Sequence, residues 1–169
     1  MATTPHHDRT PPGPAHTPET AAAPSPTAAT GPLFTPKERA YLAGQPLARL
    51  ATTGPNGGPQ VRPVGFVLND DDTLDIGGPA LSRSQKYRNA QARPDVSLII
   101  DDMAPDDDPV APGWGRGVEI RGRAEVLTLD APPMAPEFFS SEVIRIHPRR
   151  IISWHLEPDG GPSRTRTAG

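Results

Sequence analysis

Leu47-Ala48-Arg49-Leu50-Ala51-Thr52-Thr53-Gly54-Pro55-Asn56-Gly57-Gly58-Pro59-Gln60-Val61-Arg62-Pro63-Val64 places two strand-like runs around one turn. In the first run Leu47, Arg49 and Ala51 alternate with Ala48, Leu50 and Thr52, the period of a strand with two unlike faces. Asn56-Gly57 accepts the positive φ that a tight hairpin needs. The second run extends over 60–68, and Pro63 within it points to an edge or a bulge, because proline cannot donate to a ladder. An antiparallel start is therefore written into the chain.

The same reading continues outward. Asn69-Asp70-Asp71-Asp72 breaks the chain before a third strand at 73–78. Val96-Ser97-Leu98-Ile99-Ile100 is the most apolar run and reads as a central strand. A strand over 117–129 restarts its alternation after Gly122, which predicts a bulge or bend there. Two more runs lie at 143–147 and 151–156. Thr35-Pro36-Lys37-Glu38 has the capping-box pattern with proline at the first helical position, opening a helix to about residue 43 with Leu42 and Tyr41 inward. A second short helix is predicted at 82–92. About seven strands, hairpin signals and two short helices make a mainly β protein, an antiparallel barrel.

Composition bounds the rest. Of 169 residues, 1–32 are almost entirely Pro, Ala, Thr, His and Gly and read as a disordered tail without a secretion signal. Residues 159–169 read as a flexible C-terminal tail, leaving 33–158 as one folded domain. Cysteine is absent, which excludes disulfides, thiolate metal sites and a cysteine nucleophile. No run approaches the roughly 20 apolar residues of a membrane span. A net charge of −3 with 5% aromatic residues gives neither attraction to nucleic acid nor a base-stacking platform. A cytoplasmic protein is the expectation.

The functional signal lies in Gly77-Gly78-Pro79-Ala80-Leu81-Ser82-Arg83-Ser84-Gln85-Lys86-Tyr87-Arg88-Asn89. Basic residues occupy the first turn of the expected helix, where the macrodipole opposes each by roughly 0.3–1 kcal/mol. A bound phosphate resolves the conflict, since free helix N–H groups and two cations converge on it. Lys86 is one of only two lysines, with Lys37, among seventeen Lys plus Arg. Its compact ammonium suits a phosphate as a point charge, whereas arginine suits planar bidentate partners. An ordinary solvated basic face is the competing reading.

Other candidates are weaker. Asp101, Asp102, Asp106, Asp107 and Asp108 lack the calcium-loop pattern and read as a solvated acidic loop. His147 and His155 have no third clustered ligand, so no metal site is expected; one of them lining a ligand pocket is the alternative to a structural histidine, which is favoured. Trp154 reads as core. Trp114, in a Gly- and Pro-rich loop, reads as a contact for a flat ring or a partner subunit. Arg62 is an exposed strand arginine or a second cation for the phosphate. No Ser/His/Asp arrangement, P-loop or acid–base dyad is present.

Val61-Arg62-Pro63-Val64-Gly65-Phe66, the Ser82 to Asn89 segment, Arg93-Pro94-Asp95-Val96-Ser97, Gly117 to Glu125 and Ile144 to Trp154 resemble the pyridoxamine 5′-phosphate oxidase-like split β-barrel family, closest to its branch of probable deazaflavin (coenzyme F420)-dependent reductases. The resemblance covers about 34–156. It implies a homodimeric split barrel with two cofactor sites at the subunit interface. It implies that Lys86 holds the cofactor phosphate, with Ser82, Arg83 and Ser84 nearby. Arg62, Pro63 and Val64 line the ring, Gly77 and Gly78 admit the cofactor to the backbone, and Trp114 and Arg116 reach the partner's site. Arg88 and Arg62 would meet the long acidic tail of F420. The implied function is hydride transfer between coenzyme F420 and a small organic acceptor, the proton coming from solvent or Tyr87. An FMN-binding oxidase or reductase, or a non-catalytic flavin- or haem-binding module, is the alternative. Ser84 stands where many relatives carry arginine, and His155 stands where a small residue is expected.

Overall fold

The computed structural model describes residues 32–158 and 163–168. The chain runs α1 (Pro36–Ala43), β1 (Ala48–Thr53), β2 (Pro59–Val64), β3 (Phe66–Leu68), β4 (Leu74–Ile76), a 3-10 turn (Leu81–Arg83), α2 (Gln85–Ala92), β5 (Asp95–Met103), β6 (Gly115–Thr128), β7 (Glu142–Trp154) and β8 (Arg164–Thr167). All pairings are antiparallel, in the order β2-β1-β5-β6-β7-β4-β3, with β8 added to β7. The first and last strands of that order, β2 and β3, are separated in sequence by Gly65 alone. Val64 and Phe66 lie within about 7 Å of one another on any chain path, so the two sheet edges meet at one corner. The sheet is thus a curled half-barrel pinned shut at Gly65.

Alternation fills the interior. Ala48 and Leu50 from β1, Leu98 and Ile100 from β5, Val118 and Ile120 from β6, and Ile144 and Ile146 from β7 are buried. Leu42 of α1 and Leu81 and Ala90 near α2 close the ends of this core. The capping box is formed as expected: Thr35 Oγ1 accepts from Glu38 N–H at 3.2 Å, and Glu38 Oε2 accepts from Thr35 N–H at 2.9 Å. No helix among the described residues is long and apolar enough to cross a membrane.

Four boundaries differ from the sequence reading. The run at 60–68 is two strands, because the chain leaves β1 and joins β4 at Gly65. The third strand is only Leu74–Ile76. The runs at 143–147 and 151–156 are one strand, β7, which passes through Pro148. Arg121 pairs with Arg150 and Gly122 with Pro148, so Arg149 is the extra residue of a bulge opposite Gly122. A bulge is where a strand tolerates proline. Last, 159–169 is not all tail: Arg164–Thr167 pairs with β7 as β8. Its Arg-Thr alternation has no apolar face, which left no hydrophobic signal to read. The expectation for 1–32 falls, apart from Pro32, outside the described residues.

Trp154 is half-buried rather than core. Its ring fills the space above Gly117, where an added Cβ would lie 2.6 Å from it. Gly122 is tighter still, since a Cβ there would lie 2.4 Å from the His147 carbonyl oxygen. That neighbour is backbone and cannot yield without opening the β6–β7 bulge. Gly122→Ala is expected to cost about 2 kcal/mol by overpacking, read as a lower urea midpoint.

Candidate functional site

α2 begins later than the sequence indicates, and this redefines the basic segment. Ser84, at φ −80 and ψ 152, is the N-cap, and its Oγ accepts from Tyr87 N–H at 3.3 Å. Serine is a strong cap because its short side chain satisfies an otherwise unpaired helix donor. Position 84, where the resemblance leads one to expect a cation, is therefore occupied by a capping side chain. Arg83 lies outside the helix, in the 3-10 turn, and is exposed.

Lys86 is the second residue of α2 and is half-buried. Its Nζ stands over Gly78, 4.0 Å from where a Cβ would be. Burial pushes its pKa down, and the guanidinium of Arg62 pushes it further the same way. Among the described residues, neither Lys86 nor Arg62 has a carboxylate partner. Two cations are thus held near one another with no anion between them.

The helix carrying Lys86 is fixed from below by Asn89. This buried amide donates to Thr52 Oγ1 of β1 at 3.0 Å and to Gln60 Oε1 of β2 at 2.9 Å, and accepts from Gln85 at 2.8 Å. α2 is thereby tied to the same hairpin that carries Arg62. Asn89, Thr52 and Gln60 have no role in the sequence reading; only the fold brings their three polar side chains together.

The glycine pair behaves asymmetrically. Gly78 lies beside Leu81 and Lys86, 3.3 and 4.0 Å from where its Cβ would be, and its carbonyl accepts from Ser140 N–H and Ser140 Oγ, both at 3.1 Å. Gly77 does not offer its backbone: a Cβ there would lie 2.8 Å from the Phe139 ring, so the missing side chain makes room for the segment after β6. Met134 of the same segment lies over Gly65. Ser82 is likewise engaged, its hydroxyl donating to Glu142 at 2.8 Å.

Other expected site residues separate from the cradle. Val64 is buried in the core, whereas Pro63 is exposed on the edge strand β2. Arg88 turns back along its own helix, donating to the Arg83 carbonyl at 2.7 Å and to Gln85 Oε1 at 2.8 Å. Tyr87 packs its ring on the core. Arg116 belongs to another cluster, where it donates to Asp102 at 2.9 Å and to Asp108 at 2.7 Å and lies over the Tyr41 ring at 5.4 Å. Hydrogen bonds from Arg116 hold the Asp102 carboxyl below the usual range, and N–H groups of Ala111 and Val110 do so for Asp108. Burial, then its bond to Asp102, pushes the Tyr41 hydroxyl up. The acidic loop is thus partly organised around a cation, not simply solvated. Trp114 is 67% exposed and stands beside His155. His147 bonds Glu125 at 3.0 Å on the surface. Among the described residues no three His, Cys, Asp or Glu side chains gather into a metal-binding group.

A curled antiparallel half-barrel with a capped, cationic helix start beside a glycine turn is a split-barrel protein. The chain belongs to the pyridoxamine 5′-phosphate oxidase family, which its residues 34–155 match. It is 39% identical over 127 residues to the 5a,11a-dehydrotetracycline/5a,11a-dehydrooxytetracycline reductase of Streptomyces rimosus subsp. rimosus, covering 75% of this chain and 86% of that one. Among solved structures it is similar to a heme binding protein from Mycobacterium smegmatis, with TM-score 0.57 and 19% identity over 78% of this chain and 57% of the other. A conserved hypothetical protein from Mycobacterium tuberculosis gives TM-score 0.56 and 22% identity over 85% and 98%. At these identities the two structures establish the fold alone.

Proposed function

We propose that the protein is an oxidoreductase that binds a phosphate-bearing flavin-type cofactor, coenzyme F420 in preference to FMN, and reduces a small organic acceptor. The observation that carries this reading is the cation pair Lys86 and Arg62, without a carboxylate partner among the described residues, beside Gly78. Half-burying a lysine next to an arginine is unfavourable by itself and becomes favourable when an anion enters. The reductase relative at 39% identity supports the direction of chemistry. The family match, to an oxidase, keeps FMN as the alternative cofactor.

Lys86 and Arg62 neutralise the phosphate, and Arg83, exposed just before the helix, extends positive charge toward an acidic tail. Ser84 and Asn89 hold the helix start in place, and Met134 and Phe139 cover the neighbouring glycines. When bound, the cofactor supplies the hydride, which relieves the protein of acid–base machinery; solvent supplies the proton, since Tyr87 is turned to the core. A homodimer in the cytoplasm is part of the same proposal. Val61 of the edge strand β2 and Met103 at the end of β5, 55% and 67% exposed, are apolar surface that a second copy would cover.

Purified protein titrated by fluorescence with F420, FMN and haem tests this reading. Saturable binding of F420, followed by oxidation of reduced F420 on adding enones, is the expected result. Tight FMN or haem binding with no response to F420 overturns the preferred cofactor.

A further inference from the structure

A second site, away from the cradle, is formed by α1, the segment between β5 and β6, and the end of β7. Two cavities of about 580 and 260 Å³ meet there, and His155 lines both. Volumes of this order suit small organic ligands.

Three features of His155 go beyond what a structural residue needs. Its φ is +53, in the left-handed region that few residues other than glycine adopt, histidine being among those that do so more often. Strain of this kind is retained where the surroundings impose it, and it concentrates at functional positions. Its Nδ1 lies 2.8 Å from the Gly115 carbonyl oxygen. A carbonyl oxygen only accepts, so Nδ1 carries the hydrogen, and Nε2 of the neutral ring is left as an acceptor. Among the described residues nothing donates to it.

The aromatic surroundings are equally specific. The Trp114 indole, 67% exposed, meets His155 at 6.2 Å with the two ring planes 81° apart. Perpendicular rings form a corner, in which a flat molecule lies on one ring and meets the edge of the other. Within the larger cavity Arg116 is bound by Asp102 and Asp108, and Tyr41 donates to Asp102 at 3.0 Å, while Lys37, also in the lining, makes no ion pair among the described residues. Beside the two rings the one cation among the described residues is Arg116, already held by carboxylates, so an uncharged polar group on the ligand suffices there.

We propose that this corner is a binding site for a planar aromatic molecule carrying a hydroxyl, its ring against Trp114 and its O–H donating to His155 Nε2. None of its residues belongs to the Lys86 cradle of the same chain, so the corner and that cradle can be tested separately.

Calorimetric titration of the full chain with 2-naphthol and with 2-methoxynaphthalene tests it, since the methyl ether keeps the ring and loses the donor. The naphthol is expected to bind at least about tenfold more tightly, the scale of one hydrogen bond to a site that must otherwise leave an acceptor unpaired. His155→Asn tolerates the left-handed backbone and retains an N–H for Gly115; it should bring the two affinities within about twofold of each other. Trp114→Ala, a change at an exposed side chain that leaves folding alone, should weaken both by about tenfold. Lys86→Ala should change neither. Equal affinity for the two probes, no saturable binding at millimolar concentration, or loss of binding in Lys86→Ala each overturns the proposal, the last by assigning the ligand to the cradle.

Discussion

Lys86→Ala lowers the affinity for a phosphate-bearing flavin cofactor by about 10- to 100-fold without unfolding the protein. A hydrogen bond to a charged group is worth about 1.5–3 kcal/mol, and about 1.4 kcal/mol is a factor of ten in binding. The fold survives because Lys86 makes no ion pair among the described residues and its helix is anchored through Asn89 and capped by Ser84. Stability in the cofactor-free state distinguishes this role from a structural one. Burial and Arg62 both push the Lys86 pKa down, so the folded state binds its proton less well than the unfolded state does. Free of cofactor, the wild type should therefore gain stability as pH rises toward the ordinary lysine range, and the alanine variant should lack that gain. Inorganic phosphate should flatten the wild-type dependence by occupying the cradle. An unchanged cofactor affinity in Lys86→Ala, measured by fluorescence titration, refutes the cradle.

Much of this site was legible in the sequence, and what was not has a common physical cause. The hairpin around Asn56-Gly57, the capping box at Thr35 and the edge position of Pro63 rest on local rules of turns, caps and proline, and the structure contains all three. Lys86 was legible because its charge sits in the first turn of a helix against the macrodipole. The start of α2 was not, because Ser82 and Ser84 are equally good caps in sequence; Ser82 is taken by Glu142, which is distant along the chain. Gly77 looked like an opening for a ligand because nothing local reveals Phe139 above it. Val64 turns inward where the chain changes strands, and Arg116 is held by Asp102 and Asp108, partners that no local pattern reveals. Errors collected where a long-range partner decides a side chain's direction.

The C-terminal strand is the largest of those omissions, and it carries the largest expected effect on stability. Glu38 is 1% exposed, and its partner for charge is Arg166 of β8. Burial pushes the Glu38 carboxyl up, but hydrogen bonds from Arg166, Ser153 and the Thr35 N–H outweigh it and leave the carboxyl below its ordinary value. Arg166→Ala strands this carboxylate and should cost about 3 kcal/mol, the low end for a broken buried pair because Arg166 itself is partly exposed. The double variant Arg166→Ala/Glu38→Gln should recover part of that loss, since glutamine keeps the capping box without the buried charge. The pH dependence should also change sign. In the wild type the folded pKa of Glu38 is depressed, so its contribution is present above the ordinary carboxylate pKa of about 4.3 and is lost as pH falls through the folded value. Without Arg166, burial dominates and raises the folded pKa, so stability falls as pH rises above about 4.3. Urea unfolding of the two proteins across this range reads both effects. A loss below about 1 kcal/mol, the scale of a surface pair, would show that β8 is ornamental to the fold; a loss near the expected value makes the last strand of the chain the element that keeps α1 seated on the barrel.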